Sequence, residues 1–423
     1  MSDRSFENSH IAIIGLGYVG LPLALEFSKK YKVTGYDINT DRISELIDNE
    51  DITKQVTKEE LSAANLNLTS ALNAISTCNI YIITVPTPID SLNKPNLSLL
   101  LNATAQVGRV LSKGDIVIFE STVYPGCTEE DCVPVLEKES GMKFNADFFC
   151  AYSPERISPG DTVHTLKSII KITSGSDQKT ADLVDELYSQ IITAGTYKAP
   201  SIKVAEAAKA IENAQRDINI SFVNELALIF DRMGIDTADV IEAASSKWNF
   251  LKFKPGLVGG HCIGVDPYYL AYKAESLGYK PEVILSGRRV NNQMGLFVVN
   301  KVIKLMLAKN IVIKDAKALI LGITFKENCP DIRNSRVIDI FNELEQFGIQ
   351  VEVYDPLANK DEVRNEYGID LIESIESKKY ESIILAVAHH DFENINYSLL
   401  KEIDSVLFDT KSVISRELVD GRL

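Results

Sequence analysis

Residues 11–37 read IAIIGLGYVGLPLALEFSKKYKVTGYD, and this stretch decides the fold. An apolar run ends at Gly15, and Gly17 and Gly20 complete G-x-G-x-x-G. Leu21, Leu23, Ala24 and Phe27 then continue as the apolar face of a helix, and a second strand closes on Asp37. The first glycine permits a tight turn, the second lets a pyrophosphate approach the backbone, and the third allows close helix-strand packing. An acidic side chain at the end of the second strand accepts hydrogen bonds from ribose hydroxyls and repels a 2′-phosphate. The pattern therefore predicts NAD as cofactor, while Arg42 close behind keeps NADP in view. Three glycines at one helix start lower stability unless something must approach the backbone, which argues against a bare turn.

Outward from this motif, apolar runs at 11–15, 32–37, 80–86 and 115–121 alternate with helical stretches. Such alternation predicts a parallel sheet covered by helices on both faces. A second alternating series follows at 316–323, 349–356, 381–388 and 405–410. Between them, Val204, Ala208, Ile211, Ile218, Phe222, Leu226 and Ile229 recur mostly at spacings of three or four, bounded by Pro200 and Gly234. This spacing predicts one long amphipathic helix. The fold class expected is α/β: two Rossmann-like, doubly wound parallel-sheet domains joined by a long central helix. The expected partition is 1–200 for NAD binding, 201–313 for a central helical domain carrying a cysteine loop, and 314–423 for a C-terminal α/β domain. The two α/β segments begin alike, with a strand running into Gly, a helix, and a strand ending in GYD at 35–37 or VYDP at 353–356. The second segment lacks the glycine set and is expected to bind something other than a dinucleotide.

A chain of 423 residues exceeds what one hydrophobic core usually serves. Its formal charge of -15, from 59 acidic and 44 basic residues, argues against nucleic acid or an anionic membrane as partner. No apolar stretch approaches the roughly 18 residues of a membrane span. The six cysteines form no CxxC pair and no signal peptide precedes the first apolar run, so a reduced, cytoplasmic protein is expected. The five histidines have no metal-site spacing, and His389-His390 reads as a surface turn; no metal is expected.

Residues 259–269 read GGHCIGVDPYY. Gly-Gly before Cys262 and Asp-Pro after it make the segment irregular backbone, so the thiol is not there as strand packing. A dinucleotide makes hydride transfer the expected chemistry, and a nucleophilic thiol adds a specific step. A thiolate adds to an aldehyde, the thiohemiacetal loses a second hydride, and water cleaves the resulting thioester. NAD together with an activated cysteine thus points to oxidation to a carboxylate, with two NAD used if the starting group is a primary alcohol. Tyr269 and Lys273 have YxxxK spacing but sit over two hundred residues beyond the glycine motif, and the match reads as accidental.

Seven ordered motifs carry a family resemblance: GLGYVGLPLA at 15–24, TVPTP at 84–88, ESTVYPG at 120–126, SPERISPG at 153–160, AKAIENAQRDINISFVNE at 208–225, GGHCIGVDP at 259–267 and FKENCPDIRNSR at 325–336. Together they resemble the UDP-glucose/GDP-mannose dehydrogenase family over nearly the whole chain. The resemblance implies a homodimer and a UDP-sugar substrate held partly by the C-terminal domain. It makes Cys262 the nucleophile, with Lys209 and Asn213 stabilising the oxyanion. They stand four apart, on one face of the central helix. Taken without the resemblance, Lys209 reads as a solvated charge, Asn213 as a surface residue, Asp266 as a turn residue before Pro267, and Thr122 as a helix cap. With it, Asp266 pairs with Lys209 or positions water, and Thr122 and Glu155 activate the hydrolytic water, Glu155 as general base. The cofactor set becomes Gly15, Gly17, Tyr18, Val19, Gly20, Asp37, Arg42, Thr84, Pro86, Thr87, Ser121, Thr122 and Arg333. The substrate set is Glu155, Lys209, Asn213, Phe250, Leu251, Lys252, Gly259 and Lys326, with Lys252, Lys254 and Lys326 facing the diphosphate.

Within the family, WNFLKFKPGLVGGHCIGVDPYYL at 248–270 resembles the branch acting on UDP-N-acetylhexosamines. The implied activity is that of an oxidoreductase making a UDP-N-acetylhexosaminuronate for a bacterial surface polysaccharide, capsule or O-antigen. UDP-N-acetylglucosamine stands first, with UDP-N-acetylgalactosamine, UDP-ManNAc and UDP-glucose as alternatives. A catalytically silent NAD-binding scaffold is disfavoured by the intact set Cys262, Lys209, Asn213 and Asp266.

Overall fold

The apolar run that opens the glycine motif forms β1 (His10–Ile14), and the run ending at Asp37 forms β2 (Lys32–Tyr36), paired to it in parallel. β3 (Leu66–Thr69), β4 (Ile80–Ile83), β5 (Ile116–Phe119) and β6 (Phe149–Tyr152) complete a six-stranded sheet in the order β3-β2-β1-β4-β5-β6. Every neighbouring pair is parallel. This is the doubly wound order whose crevice opens where the winding reverses, beside β1 and β4. β1, β4, β5 and β6 are buried at every position, as strands covered by helices on both faces must be. Ile11 and Ile13 share a cluster with Leu21, Leu23 and Phe27 of the helix Gly20–Ser28, the contact that the third glycine of the motif permits. β7 (Lys171–Thr173) and β8 (Thr196–Lys198) add a short parallel pair.

The structure is a computed structural model describing residues 9–157, 165–376 and 378–423. Residues 158–160 of the SPERISPG motif lie outside the described residues. The chain divides into one unit of Met1–Glu212 with Tyr268–Tyr279 and a second of Asn213–Pro267 with Lys280–Leu423. In the second unit β9 (Lys317–Leu321), β10 (Gln350–Tyr354), β11 (Tyr380–Leu385), β12 (Lys401–Asp409) and β13 (Gly421–Arg422) form a parallel sheet in the order β10-β9-β11-β12-β13. Alternate residues of β9 feed two cores. Ala318 and Ile320 pack with Met294, Val298 and Val302 of the helix Met294–Ala308, and Leu319 and Leu321 pack with Phe392 and Tyr397. The last helix of the segment 201–313 is thus a wall of the C-terminal core.

The two sheets open with the same local geometry. Gly15 N donates to Tyr36 O at 2.8 Å and Gly322 N to Tyr354 O at 2.9 Å. Both glycines have positive φ, 93° and 89°. The next amide is caught by a carboxylate in each case: Leu16 N by Asp37 Oδ2 at 2.8 Å, Ile323 N by Asp355 Oδ2 at 2.7 Å. The likeness of GYD and VYDP is therefore a repeat at the level of individual hydrogen bonds.

The expected long helix spans Ile202–Met233, and its 32 residues are about 48 Å of helix. It ends where expected: Gly234 has φ 69° and Ile235 N reaches back to Phe230 O at 3.0 Å, closing a left-handed C-terminal cap. Its packed face differs from the one the apolar spacing suggests. Val204, Ile211, Phe222 and Ile229 are exposed in the single chain, whereas Ala205, Lys209, Ala210, Asp217 and Asn224 are buried. Asp217 and Asn224 are each tied to partners across the chain. Asp217 accepts from Arg288 at 2.6 Å and from Asn291 at 2.7 Å. Asn224 receives Gly256 N at 2.8 Å, returns a bond to Gly256 O at 3.0 Å, and is tied to Asn291 at 2.8 Å. Asn224 thereby clamps the segment leading to the cysteine loop by both backbone groups of Gly256. Replacing Asn224→Ala is expected to cost about 2–4 kcal/mol in urea unfolding, because two buried backbone groups lose their partner.

Candidate functional site

The glycine loop of the first unit is braced from behind and open in front. Thr84 Oγ1 donates to Gly15 O at 2.8 Å and to Ile14 O at 3.1 Å. A Cβ on Gly20 would stand 1.8 Å from Gly15 O, so this position is closed to any side chain. A Cβ on Gly17 would meet nothing within 4 Å, which leaves the backbone bare to an approaching group. Tyr18 and Val19 beside it are half-buried. Asp37 spends one oxygen on Leu16 N and the other on Asn39 N at 2.9 Å. Two ionised oxygens offer about four acceptor sites, so capacity for ribose hydroxyls remains. Arg42 is buried under the loop, with Nε donating to Leu16 O at 3.0 Å and Nη2 paired to Asp51 at 2.7 Å. Its charge is committed to the loop and to Asp51, a second brace rather than a group presented to a 2′-phosphate. Asp51 in turn lies below its usual range: burial raises it, but the hydrogen bonds of Thr53 and Arg42 outweigh that.

The loops after β4 and β5 are stitched together through their hydroxyls. Ser121 Oγ donates to Val85 O and Thr87 Oγ1 to Thr122 O, each at 2.6 Å; Pro86 between them is exposed. Tyr269 OH donates to Thr87 O at 2.8 Å and Lys273 pairs with Glu130 at 2.5 Å, so the YxxxK pair has local partners of its own. Glu206, one turn before Lys209, accepts Gly126 N at 2.5 Å and Thr128 N at 2.9 Å, fixing the end of the ESTVYPG loop; burial pushes its carboxyl up to about 7. Glu155 follows β6, and its Oε1 accepts Arg156 N at 2.6 Å and Ile157 N at 2.7 Å. Its Oε2 lies 3.2 Å from Lys171 Nζ. Lys209 is only 7% exposed, which excludes a solvated charge.

In the second unit the cysteine loop is irregular because backbone crowds it. A Cβ on Gly259 would lie 2.5 Å from Asn334 O, and Gly260, at φ 82°, faces the Phe325 ring. Gly260 N donates to Asn334 O at 3.1 Å and Asn334 Nδ2 to Gly260 O at 2.9 Å, so the FKENCPDIRNSR loop grips this turn at two points. Asp266 N closes on Cys262 O at 2.8 Å and starts the helix Asp266–Ser276. Asn213 Nδ2 donates to Asp266 Oδ2 at 2.6 Å, which brings two of the expected residues together. Five of the six cysteines are buried; Cys262 alone is not. Arg333 makes a two-pronged bond to Asp331, at 2.8 and 2.6 Å, and Lys326 Nζ stands 5.4 Å from the Phe325 ring centre. Leu251 and Lys252 are exposed and Phe250 is half-buried.

A cavity of about 750 Å³ in this unit is lined by Lys254, Gly256, Asn328, His389, Lys411 and Tyr397, among others. Sequence reasoning named Lys254 and missed the rest. His389, expected in a surface turn, is fully buried: Nδ1 accepts Asn328 N at 2.9 Å, so Nε2 carries the proton it donates to Asp355 Oδ2 at 3.1 Å. An apolar run followed by two histidines gave no sign of this, because the partner lies 34 residues away. Lys411 pairs with Glu327 at 2.6 Å; although burial pushes the other way, this ammonium holds Glu327 below the usual carboxylate range. Among the described residues no cluster of three or more His, Cys, Asp or Glu is arranged for a metal.

Three models match the chain in order: the NAD binding domain of the UDP-glucose/GDP-mannose dehydrogenase family at residues 9–192, its central domain at 203–293 and its UDP binding domain at 319–416. The chain belongs to the UDP-glucose/GDP-mannose dehydrogenase family. The open glycine loop with Asp37 lies in the NAD-binding domain, and NAD is the cofactor of this dehydrogenase. The chain is 56% identical over 417 residues to the UDP-N-acetyl-D-glucosamine 6-dehydrogenase of Pseudomonas aeruginosa, covering 98% of this chain and 99% of the relative. It is 51% identical over 412 residues to protein CapL of Staphylococcus aureus, covering 97% of each. Its fold matches the UDP-D-ManNAc dehydrogenase structure from Pyrococcus horikoshii with a TM-score of 0.87 at 30% identity, covering 98% of each chain.

The two glycines separate binding from folding. Gly17→Val is expected to change stability by less than about 1 kcal/mol while weakening NAD at least about tenfold, read by fluorescence titration and thermal unfolding. Gly20→Ala should instead lower the melting temperature sharply even without NAD, because its Cβ overlaps a backbone oxygen.

Proposed function

We propose that the chain oxidises the C6 hydroxymethyl group of UDP-N-acetylglucosamine to the carboxylate, in two steps using two NAD, for a bacterial surface polysaccharide. The observation that carries this reading is the identity of 56% to a UDP-N-acetyl-D-glucosamine 6-dehydrogenase, extending over the loop in which Cys262 is the one cysteine left unburied. NAD, when bound, supplies the acceptor for each hydride. Cys262 adds to the aldehyde carbon as thiolate, first giving a thiohemiacetal and, after the second oxidation, a thioester. Lys209 as a cation and Asn213 as a hydrogen-bond donor stabilise the oxyanion. Asp266, bound to Asn213 at 2.6 Å, sets the orientation of that amide. Glu155, assisted by Thr122, takes the proton of the water that cleaves the thioester.

The cavity lined by Lys254 and Lys411 is the proposed seat of the UDP group. Lys254 supplies positive charge that a diphosphate requires on a chain of net charge -15, and Lys411, paired with Glu327, lies beside it. Lys252, Lys326, Phe250, Leu251 and Gly259 complete the proposed substrate set. We place the enzyme in the cytoplasm; its six free cysteines suit a reducing compartment, and no helix among the described residues is long and apolar enough to cross a membrane. The exposed stripe Val204, Ile211, Phe222 and Ile229, between 43% and 57% accessible, is proposed as the contact with a second copy.

A panel of UDP-N-acetylglucosamine, UDP-N-acetylgalactosamine, UDP-ManNAc and UDP-glucose tests the substrate, with UDP-N-acetylglucosamine expected to give the highest kcat/KM. Two NADH per sugar are expected, and Cys262→Ser should lower turnover at least about a thousandfold; one NADH with free aldehyde would exclude the thioester route. Phe222→Asp should convert a dimer to a monomer in sedimentation, whereas a wild-type monomer would exclude the stripe as an interface.

A further inference from the structure

Behind Glu155 the first unit holds a second charged group of side chains that the proposed chemistry leaves without a role. Glu120 directly follows β5, Lys171 opens β7 and Tyr188 lies on the helix Gln178–Ser189; none is more than 3% exposed. Lys171 Nζ lies 2.8 Å from Glu120 Oε2 and 3.2 Å from Glu155 Oε2. Tyr188 OH donates to the other oxygen of Glu120. Burial alone would lower Lys171, but the charges of Glu120 and Glu155 outweigh it and hold the ammonium above its ordinary range.

Glu120 by itself neutralises Lys171, and Tyr188 satisfies the remaining oxygen of Glu120. A purely structural ion pair would be complete at that point. Lys171 nevertheless also reaches Glu155, whose side chain is 10% accessible where those of Glu120 and Lys171 are 0% and 3%. The two amides of Arg156 and Ile157 fill both lone pairs of Glu155 Oε1. Lys171 takes one site on Oε2, so among the described residues a single lone pair of the carboxylate is left without a partner. The remaining neighbouring charge is turned aside: Arg156 directs its guanidinium to Glu212 of the long helix at 2.6 Å and to Ile170 O at 2.7 Å.

We propose that Lys171 is a positioning residue for the hydrolytic step, locking the Glu155 carboxylate so that Oε2 is the oxygen that receives the proton of water. This deepens the function proposed above and rests on Glu155 being the base. In the step concerned, a water proton passes to Oε2, the water oxygen bonds to the thioester carbon, and the carbon-sulfur bond breaks with the electron pair leaving on Cys262. The sum is thioester plus water giving carboxylate, thiol and one proton released to solvent. No oxidant is consumed, so the two hydride transfers should not need Lys171.

The test separates those phases. Rapid mixing of the full chain with NAD and UDP-N-acetylglucosamine should give a burst of two NADH per site in a variant whose hydrolysis is slow. Lys171→Met alone leaves Glu120 buried without its cation and is liable to misfold. Lys171→Met combined with Glu120→Gln removes both charges and keeps a partner for Tyr188. The double variant should retain the burst rate and the sugar concentration that half-saturates the burst within about threefold while steady-state turnover falls about ten- to a hundredfold, and Glu155→Gln should show the same split more strongly. Equal slowing of burst and turnover in the folded double variant, or unchanged turnover, would overturn the inference while Glu155→Gln still shows its burst. Wild-type hydrolysis in Glu155→Gln would remove the base assignment itself, and the role of Lys171 with it.

Discussion

Two aspartates, Asp37 and Asp355, hold the bends on which both sheets depend. Each catches the first amide after a positive-φ glycine that follows the first strand of its sheet in chain order, at 2.8 and 2.7 Å. What differs is how much of each carboxylate is left. Asp37 has two protein donors, Leu16 N and Asn39 N. Asp355 has five: Ile323 N, Thr324 N, Leu357 N, Ala358 N and the His389 ring. A carboxylate offers about four acceptor sites. Asp355 is saturated by its own chain, whereas Asp37 has room for ribose hydroxyls. The same turn therefore keeps acceptor capacity once and serves as a structural joint once, and the cavity of the second unit lies at the loops around Lys254 and Lys411 instead.

The long helix shows a related division between what a face buries and what it leaves outside. Its inner side carries Asp217, Asn224 and Lys209, whose burial is tolerable only because partners are supplied across the chain. Arg288 and Asn291 answer Asp217, and Gly256 answers Asn224. Small residues, Ala205, Ala210, Ala214 and Ala227, fill the gaps and let neighbouring backbone approach. Val204, Ile211, Phe222 and Ile229 are thereby left on the outer side.

Much of this was legible in the sequence because it rests on local spacing. The strands flanking the glycine motif, the limits of the long helix at Pro200 and Gly234, and the second alternating segment all follow from patterns within some thirty residues. Asn213 and Asp266 were legible only through the family motifs, since 53 residues separate them. Which face of the long helix is buried was not legible: apolar periodicity reports a face that avoids water, whether core or partner covers it. Arg42 illustrates the same limit, because its acceptors, Leu16 O and Asp51, are fixed by loop geometry rather than by spacing. Lys171 at the first position of a short strand reads as a flanking surface charge, and only the folded chain brings Glu120 to it across 51 residues.

The six thiols differ in what packing does to them. Burial pushes Cys78 up to about 12 and Cys150 well above its ordinary range, and the Cys132 contact followed by burial does so for Cys127. Such thiols stay protonated and are poor nucleophiles. Cys262 alone among the six is left part-exposed. Gly259 and Gly260 press against Asn334 and Phe325, and Asp266 N draws the next turn into a helix. A larger residue at Gly259 would push the loop off Asn334 O and move the sulfur with it. The two glycines before Cys262 are therefore there to fix where the sulfur stands, and the aspartate four residues later both starts the helix and orients Asn213.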